Sequence, residues 1–85
     1  MQEQNIKKKN LKINFDMIKS DKEFYLENCN FTELQENIFK DLTCKNPMSI
    51  IQISMKEHIS DSTVNRNIRK IKIKMIKAIM TKWFL

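Results

Sequence analysis

The chain has no glycine, a single proline, Pro47, and a single alanine, Ala78, among its 85 residues. Without glycine there is no phosphate-cradling loop, no dinucleotide fingerprint and no β-hairpin of the Asn-Gly or Gly-X kind. Cysteine is scarce. Cys29 and Cys44 form no CxxC pair, and the only histidine, His58, has no Cys or His at metal-ligand spacing. No metal, cofactor or catalytic Cys–His pair is therefore expected, and the chain does not read as an enzyme. The two thiols read as small hydrophobes in a reducing cytoplasm. No apolar run approaches the roughly 18 residues of a membrane span, and the first residues carry no signal-peptide pattern, so the expected location is cytoplasmic. What the chain has in excess is Lys, Ile and Asn, 36 of the 85 residues. That bias is what a very AT-rich genome would impose, and it concerns codons more than chemistry.

A chain of this length makes one small domain that buries about 60–65% of its unfolded surface. Its charge is unevenly spread. Residues 1–12 carry +3, residues 13–61 carry −4, and residues 62–85 carry +7 with no acid at all, for a total of +6. A basic end on an acidic body is the pattern of a polyanion-binding surface, although a solvated helix face gives the same count.

Residues 1–10 hold one apolar side chain after Met1 and are expected to form a flexible basic N-terminus, with a single helical domain over residues 11–85. Leu11, Ile13, Phe15 and Met17 alternate as in a strand, while Leu11, Phe15 and Ile18 also fit a helix. With no second strand to pair, the segment predicts a helix from about Asp16. The capping box Ser20-Asp21-Lys22-Glu23 offers an alternative start for a helix carrying Phe24, Tyr25 and Leu26. Asn28-Cys29-Asn30 supplies the stop, because Asn tolerates the left-handed conformation after a helix. Thr32-Glu33-Leu34-Gln35 is a second capping box, opening a helix with Leu34, Ile38, Phe39 and Leu42 on one face that ends near Thr43. Ser49-Ile50-Ile51-Gln52 is a third, opening a short helix with Ile50, Ile53 and Met55 as its apolar residues. Ser60 then caps a long final helix whose stripe is Val64, Ile68, Ile71 and Met75. The expected fold class is all-α, a small helix-turn-helix bundle of about four helices.

Two helices joined by about four residues, the second one basic, outline a helix-turn-helix, with Ile59 tucked into the core. The stretch Ser49-Ile-Ile-Gln-Ile-Ser-Met-Lys-Glu-His-Ile-Ser-Asp-Ser-Thr-Val64 resembles the helix-turn-helix of LuxR/NarL-type regulators. It is similar also to the promoter-reading C-terminal region of sigma factors; both tend to run Ser-x-x-x-Ile-Ala-x-x-Leu-x-Ile-Ser-x-x-Thr-Val. Phe31-Thr32 resembles the Leu-Thr opening of those domains and Ile71-Lys-Ile-Lys-Met75 their closing segment, so the resemblance covers residues 31–75. The helix-turn-helix lies at 49–75. The chain departs from the pattern in three places. Glu57 stands where a core Leu is usual, leaving Met55 to fill that space. His58 stands where Gly or Asn is usual. The Cys44–Met48 loop is about two residues longer. Receiver, ligand-binding and core-polymerase-binding regions are absent from the stretch, so the resemblance implies a DNA-binding module only.

Carried over by position, the resemblance places base contacts on Asn65, Arg66 and Arg69. Their chemistry suits the role: Arg pairs with guanine O6 and N7, Asn with adenine N6 and N7. Ser49, Ser62, Thr63, Lys70, Lys72 and Lys74 are read as phosphate contacts, which add affinity without sequence information. Lys77 and Lys82 are read as solvated charges. Beyond Met75 a second apolar stripe appears, Ile73, Ile76, Met80 and Trp83, about 200° round the helix from the first. Its partner is either the N-terminal segment (Phe15, Ile18, Phe24, Tyr25) or the same helix of a second chain in a homodimer. The expected function is a sequence-specific, double-stranded-DNA-binding transcriptional regulator of a prokaryote, its phage or its plasmid. Two rivals stand beside it: a helical interaction module contacting RNA polymerase, and a basic amphipathic helix on anionic membrane. The second is disfavoured by the platform helices, which a membrane anchor does not need.

Overall fold

Local capping signals mark most of the helix starts. In the computed structural model, which describes Phe15 and residues 17–84 with side chains as far as Lys82, the helices are α1 Lys19–Asn28, α2 Glu33–Thr43, α3 Ile50–Glu57 and α4 Asp61–Phe84. The described residues contain no strand. The fold is all-α, a small helical bundle with a long C-terminal helix. Residues 1–14 and the side chain of Trp83, on which expectations were placed above, lie outside the described residues.

Two of the three capping boxes form. Thr32 Oγ1 accepts from Gln35 N at 3.2 Å while Gln35 Oε1 accepts from Thr32 N at 3.1 Å. Ser49 Oγ accepts from Gln52 N at 3.2 Å, and Gln52 Oε1 accepts from Ser49 N at 2.8 Å. Each satisfies two backbone N–H donors that a bare helix start would leave to water. The third does not form. α1 starts at Lys19, its N-cap position is Ile18 without a side-chain cap, and Ser20 lies inside the first turn. Here the Ile18 carbonyl accepts from Asp21 N and Lys22 N at 3.1 and 3.2 Å, so the turn is already closed one step earlier than the Ser20 signal. Met17 and Ile18 are accordingly not helical, against the helix expected from about Asp16.

A chain without glycine must turn its corners with residues that carry a Cβ. Asn30 and His58 do so, at φ 54° and 58°. His58 adopts the left-handed conformation at φ 58°, ψ 43°, its N–H donating to Ser54 O. The Ile59 N–H donates to the same carbonyl at 3.1 Å. Between them these bonds close α3 and turn the chain toward α4. The loop before α3 is also tied down: Met48 N donates to Asp41 O at 3.1 Å, and Cys44 Sγ lies 3.2 Å from Asn46 O.

The core is built on α4. Ile38 and Phe39 of α2, Ile53 of α3, and Val64, Ile71 and Met75 of α4 are fully buried, with Cys29 and Ala78 close behind. Each such side chain contributes about 1.5–3 kcal/mol of burial. Phe39 is the hub of an aromatic group. Phe31, Tyr25 and Phe15 stand 5.1, 6.2 and 6.4 Å from its ring centroid. Ile59 packs against this core from the turn, as expected. Met55 does not. It is 70% exposed, and it shares its outward face of α3 with Ile51, one turn earlier and 62% exposed. Glu57, half-buried, takes the inward side and lies 3.9 Å from Lys56 Nζ. The space a core Leu would fill at that position is therefore not filled by Met55.

His58 gives a direct check on this geometry. A left-handed conformation costs an L-residue about 1–2 kcal/mol, which glycine avoids at the expense of a more flexible unfolded chain. His58→Gly should stabilise the fold by about 0.5–1 kcal/mol, raising Tm by about 2–6 °C for a domain of this size. His58→Val should lower Tm, because a β-branched side chain is least tolerated at positive φ. Thermal melts in which both variants shift in the same direction would contradict the assigned turn.

Candidate nucleic-acid interface

α4 is held by one face, so its other face is available. At about 100° per residue, Arg66 and Arg69 fall on the side of α4 opposite Val64, Ile71 and Met75, and Asn65 flanks that buried stripe. All three are exposed. The expected base-reading residues are thus brought together on one outward surface over the first two turns. Ser62 and Lys70 are exposed beside them, and Ser49 is exposed at the start of α3.

The start of α4 is organised by hydroxyls. Ser60 Oγ accepts from Thr63 N at 3.2 Å, the bond expected of a cap. It also lies 3.0 Å from Ser62 Oγ and 2.8 Å from Thr63 Oγ1. Asn67 Nδ2 donates to Thr63 O at 2.9 Å, securing the first turn. Three hydroxyls therefore cluster at a helix N-terminus, where the peptide dipoles favour a negative group.

The lysines divide by what they touch. Lys72 is half-buried, its Nζ 6.0 Å from the Phe15 ring centroid. Lys74 departs from the expectation. Its Nζ donates to Gln35 Oε1 at 2.6 Å and to Asn30 O at 3.0 Å, at the corner between α1 and α2. Gln35 is buried, and its oxygen serves both the Thr32 capping box and Lys74. Lys74 thus holds α4 to the α1–α2 corner, with two of its three donors used there. Lys77 and Lys82 are exposed, Lys82 Nζ lying 4.8 Å over the Phe24 ring.

A second tie joins α2 to α3. Lys56 Nζ lies 2.7 Å from Asp41 Oδ1, a carboxylate that is almost wholly buried. The hydrogen bond to Asp41 raises the Lys56 pKa above the ordinary lysine value. Neither Asp41–Lys56 nor Gln35–Lys74 was found in the sequence. Their partners stand 15 and 39 positions apart, beyond any local spacing rule.

The second apolar stripe is left outward. Ile73 and Met80 are exposed and Ile76 is half-buried. Phe15 and Tyr25, considered above as its cover, gather on Phe39, and Ile18 is exposed. No three His, Cys, Asp or Glu side chains among the described residues could hold a metal ion, and no helix among them is long and apolar enough to cross a membrane. Cys29 is buried against α4, and burial pushes its thiol up to about 11 although Lys74 pulls the other way. Cys44 is exposed. No protein-family model, curated protein or solved structure matches the chain.

Two outcomes follow from these contacts. Lys74→Met removes a charged donor from buried Gln35, and hydrogen bonds to charged groups contribute about 1.5–3 kcal/mol. With Lys74 half-buried, its loss should cost about 1–2 kcal/mol in urea unfolding, while Lys70→Met on the exposed side should stay within about 0.5 kcal/mol. Equal losses would mean that Lys74 is not structural. In alkylation at neutral pH, Cys44 should react and Cys29 should be protected until unfolding. The raised Cys29 pKa favours the folded state while both states hold the thiol. That contribution falls away as pH rises from the unfolded value near 9 toward about 11.

Proposed function

We propose that this protein is a helix-turn-helix DNA-binding protein that reads double-stranded DNA through the first two turns of α4, as a cytoplasmic transcriptional regulator. One observation carries the reading: Asn65, Arg66 and Arg69 stand exposed together on a helix whose buried face is locked onto α2 and α3. The major groove, about 12 Å wide, admits one helix presented on such a platform. The similarity of residues 31–75 to LuxR/NarL-type and sigma-factor reading domains supports the same reading. So does the turn through His58 in the left-handed conformation, at a place where those domains use Gly or Asn.

In this reading Arg66 and Arg69 contact guanines and Asn65 an adenine. The hydroxyls of Ser62 and Thr63 and the ammonium groups of Lys70 and Lys72 meet the phosphates, with Ser49 reaching the backbone from α3. Lys74 is left out, since two of its three donors hold the fold. Residues 62–85, with seven cations and no acid, supply the electrostatic attraction.

Selection from a random duplex pool at about 150 mM salt, where purely electrostatic binding is weakened, tests the proposal. An enriched motif is expected. Arg69→Ala should relax preference at one base pair, losing about 1–3 kcal/mol of discrimination there. Lys70→Ala should weaken all duplexes alike and lower the slope of log K against log salt by about 1. A pool that returns unenriched would sink base reading and favour the protein-interaction reading, with RNA polymerase as one partner to assay. Equal effects of the two variants on every sequence would sink the assignment of Arg69.

A further inference from the structure

The second half of α4 presents apolar surface that the proposed DNA contact does not use. Ile73 is 44% and Met80 52% exposed, and Ile76 between them is half-buried. A groove of about 620 Å³ runs alongside, lined by Asn65, Ile68, Arg69, Lys72, Ile73 and Ile76. Full burial of such a side chain stabilises by about 1.5–3 kcal/mol, so a partner that covers the stripe gains from it.

Charge decides which partner. Projected down the helix, Lys72 lies to one side of the Ile73–Ile76–Met80 stripe, and Lys70 and Lys77 lie to the other. Residues 62–85 hold no Asp or Glu to offset them. A second copy pairing α4 with α4 would bring an equally basic helix against this one, and like charges across that interface oppose association. The chain's own residues 1–12 carry +3 and are disfavoured for the same reason. DNA answers the cations but offers no aliphatic anchor to Ile73 and Met80. An acidic amphipathic helix answers both, with aliphatic side chains for the stripe and carboxylates for the flanking lysines.

We infer that α4 is the docking surface for an acidic amphipathic helical segment of a partner protein, seated along the groove from Asn65 to Ile76 and reaching exposed Met80 beyond it. Resting on the proposed DNA reading, this occupancy has a regulatory consequence. The segment covers Asn65 and Arg69, so partner and DNA exclude one another.

The probe is a labelled peptide of about 18 residues, five helical turns, with Leu at i, i+3, i+4 and i+7 and Glu elsewhere. Its control has the same composition with the Leu residues spread round the helix. In fluorescence anisotropy at about 150 mM salt, the patterned peptide should bind at least about tenfold tighter than the control. Ile73→Glu and Met80→Glu should each weaken it about tenfold with circular dichroism unchanged. Lys70→Ala/Lys77→Ala, which leaves the apolar stripe intact, should weaken it as well. Equal binding of the two peptides, or unchanged binding by the variants, overturns the inference. So does a homodimer in sedimentation equilibrium that Ile73→Glu dissociates, which would assign the stripe to a second copy. Where a duplex binds, the patterned peptide should displace it, and a ternary complex overturns the exclusion. Where no duplex binds, the DNA reading fails, and the peptide comparison still decides the docking surface.

Discussion

Everything in this small bundle depends on burying one stripe of α4. Val64, Ile71 and Met75 reach zero exposure against Ile38, Phe39 and Ile53, and Ala78 continues the contact toward α1. A domain of this size has few side chains that can be fully dehydrated, so those few must come from three helices at once. That requirement fixes which face of α4 is hidden and, by the period of the helix, which face is not. The exposed positions of Asn65, Arg66 and Arg69 follow from the packing of Val64 and Ile71.

The polar contacts refine what the core begins. Lys56 reaches the buried Asp41 carboxylate and sets α3 on α2, while Lys74 reaches Gln35 and sets α4 on the α1–α2 corner. Breaking the first pair leaves the nearly buried Asp41 carboxylate without its charge partner, although Lys56 itself stays exposed to solvent, which screens the pair. These ties fix α3 and α4 each against α2 and its corner, the rigid platform that the proposed reading calls for.

Much of this was legible in the sequence, because the signals were local. The Thr32 and Ser49 capping boxes, the Ser60 cap, the stop at Asn30 and the left-handed residue at His58 each involve residues within a few positions of one another. The Val64–Met75 stripe was legible from period alone. Where local signals competed, one misled: Ser20 has the right pattern for a cap, yet the Ile18 carbonyl had already closed the turn. Met55 misled for another reason. Hydrophobicity indicates that a side chain can be buried, and only the rotation of α3 decides that Ile53 goes inward and Met55 does not. The role of Lys74 was illegible, since a lysine on a basic helix looks the same whether it faces phosphate or a glutamine 39 residues away.

The charge of residues 62–85 acquires its meaning from which face of α4 is buried. Seven cations without an acid are spread round a helix of which one side is occupied, and most of them remain where a polyanion can reach. The measurement that bears most directly on this account is amide chemical-shift mapping as a duplex of about 15 base pairs, one and a half turns, is added. The account predicts saturable shifts centred on residues 61–70, with Ser49 following and α1 unmoved. Shifts centred on α1 and α2, or none that saturate, would contradict it.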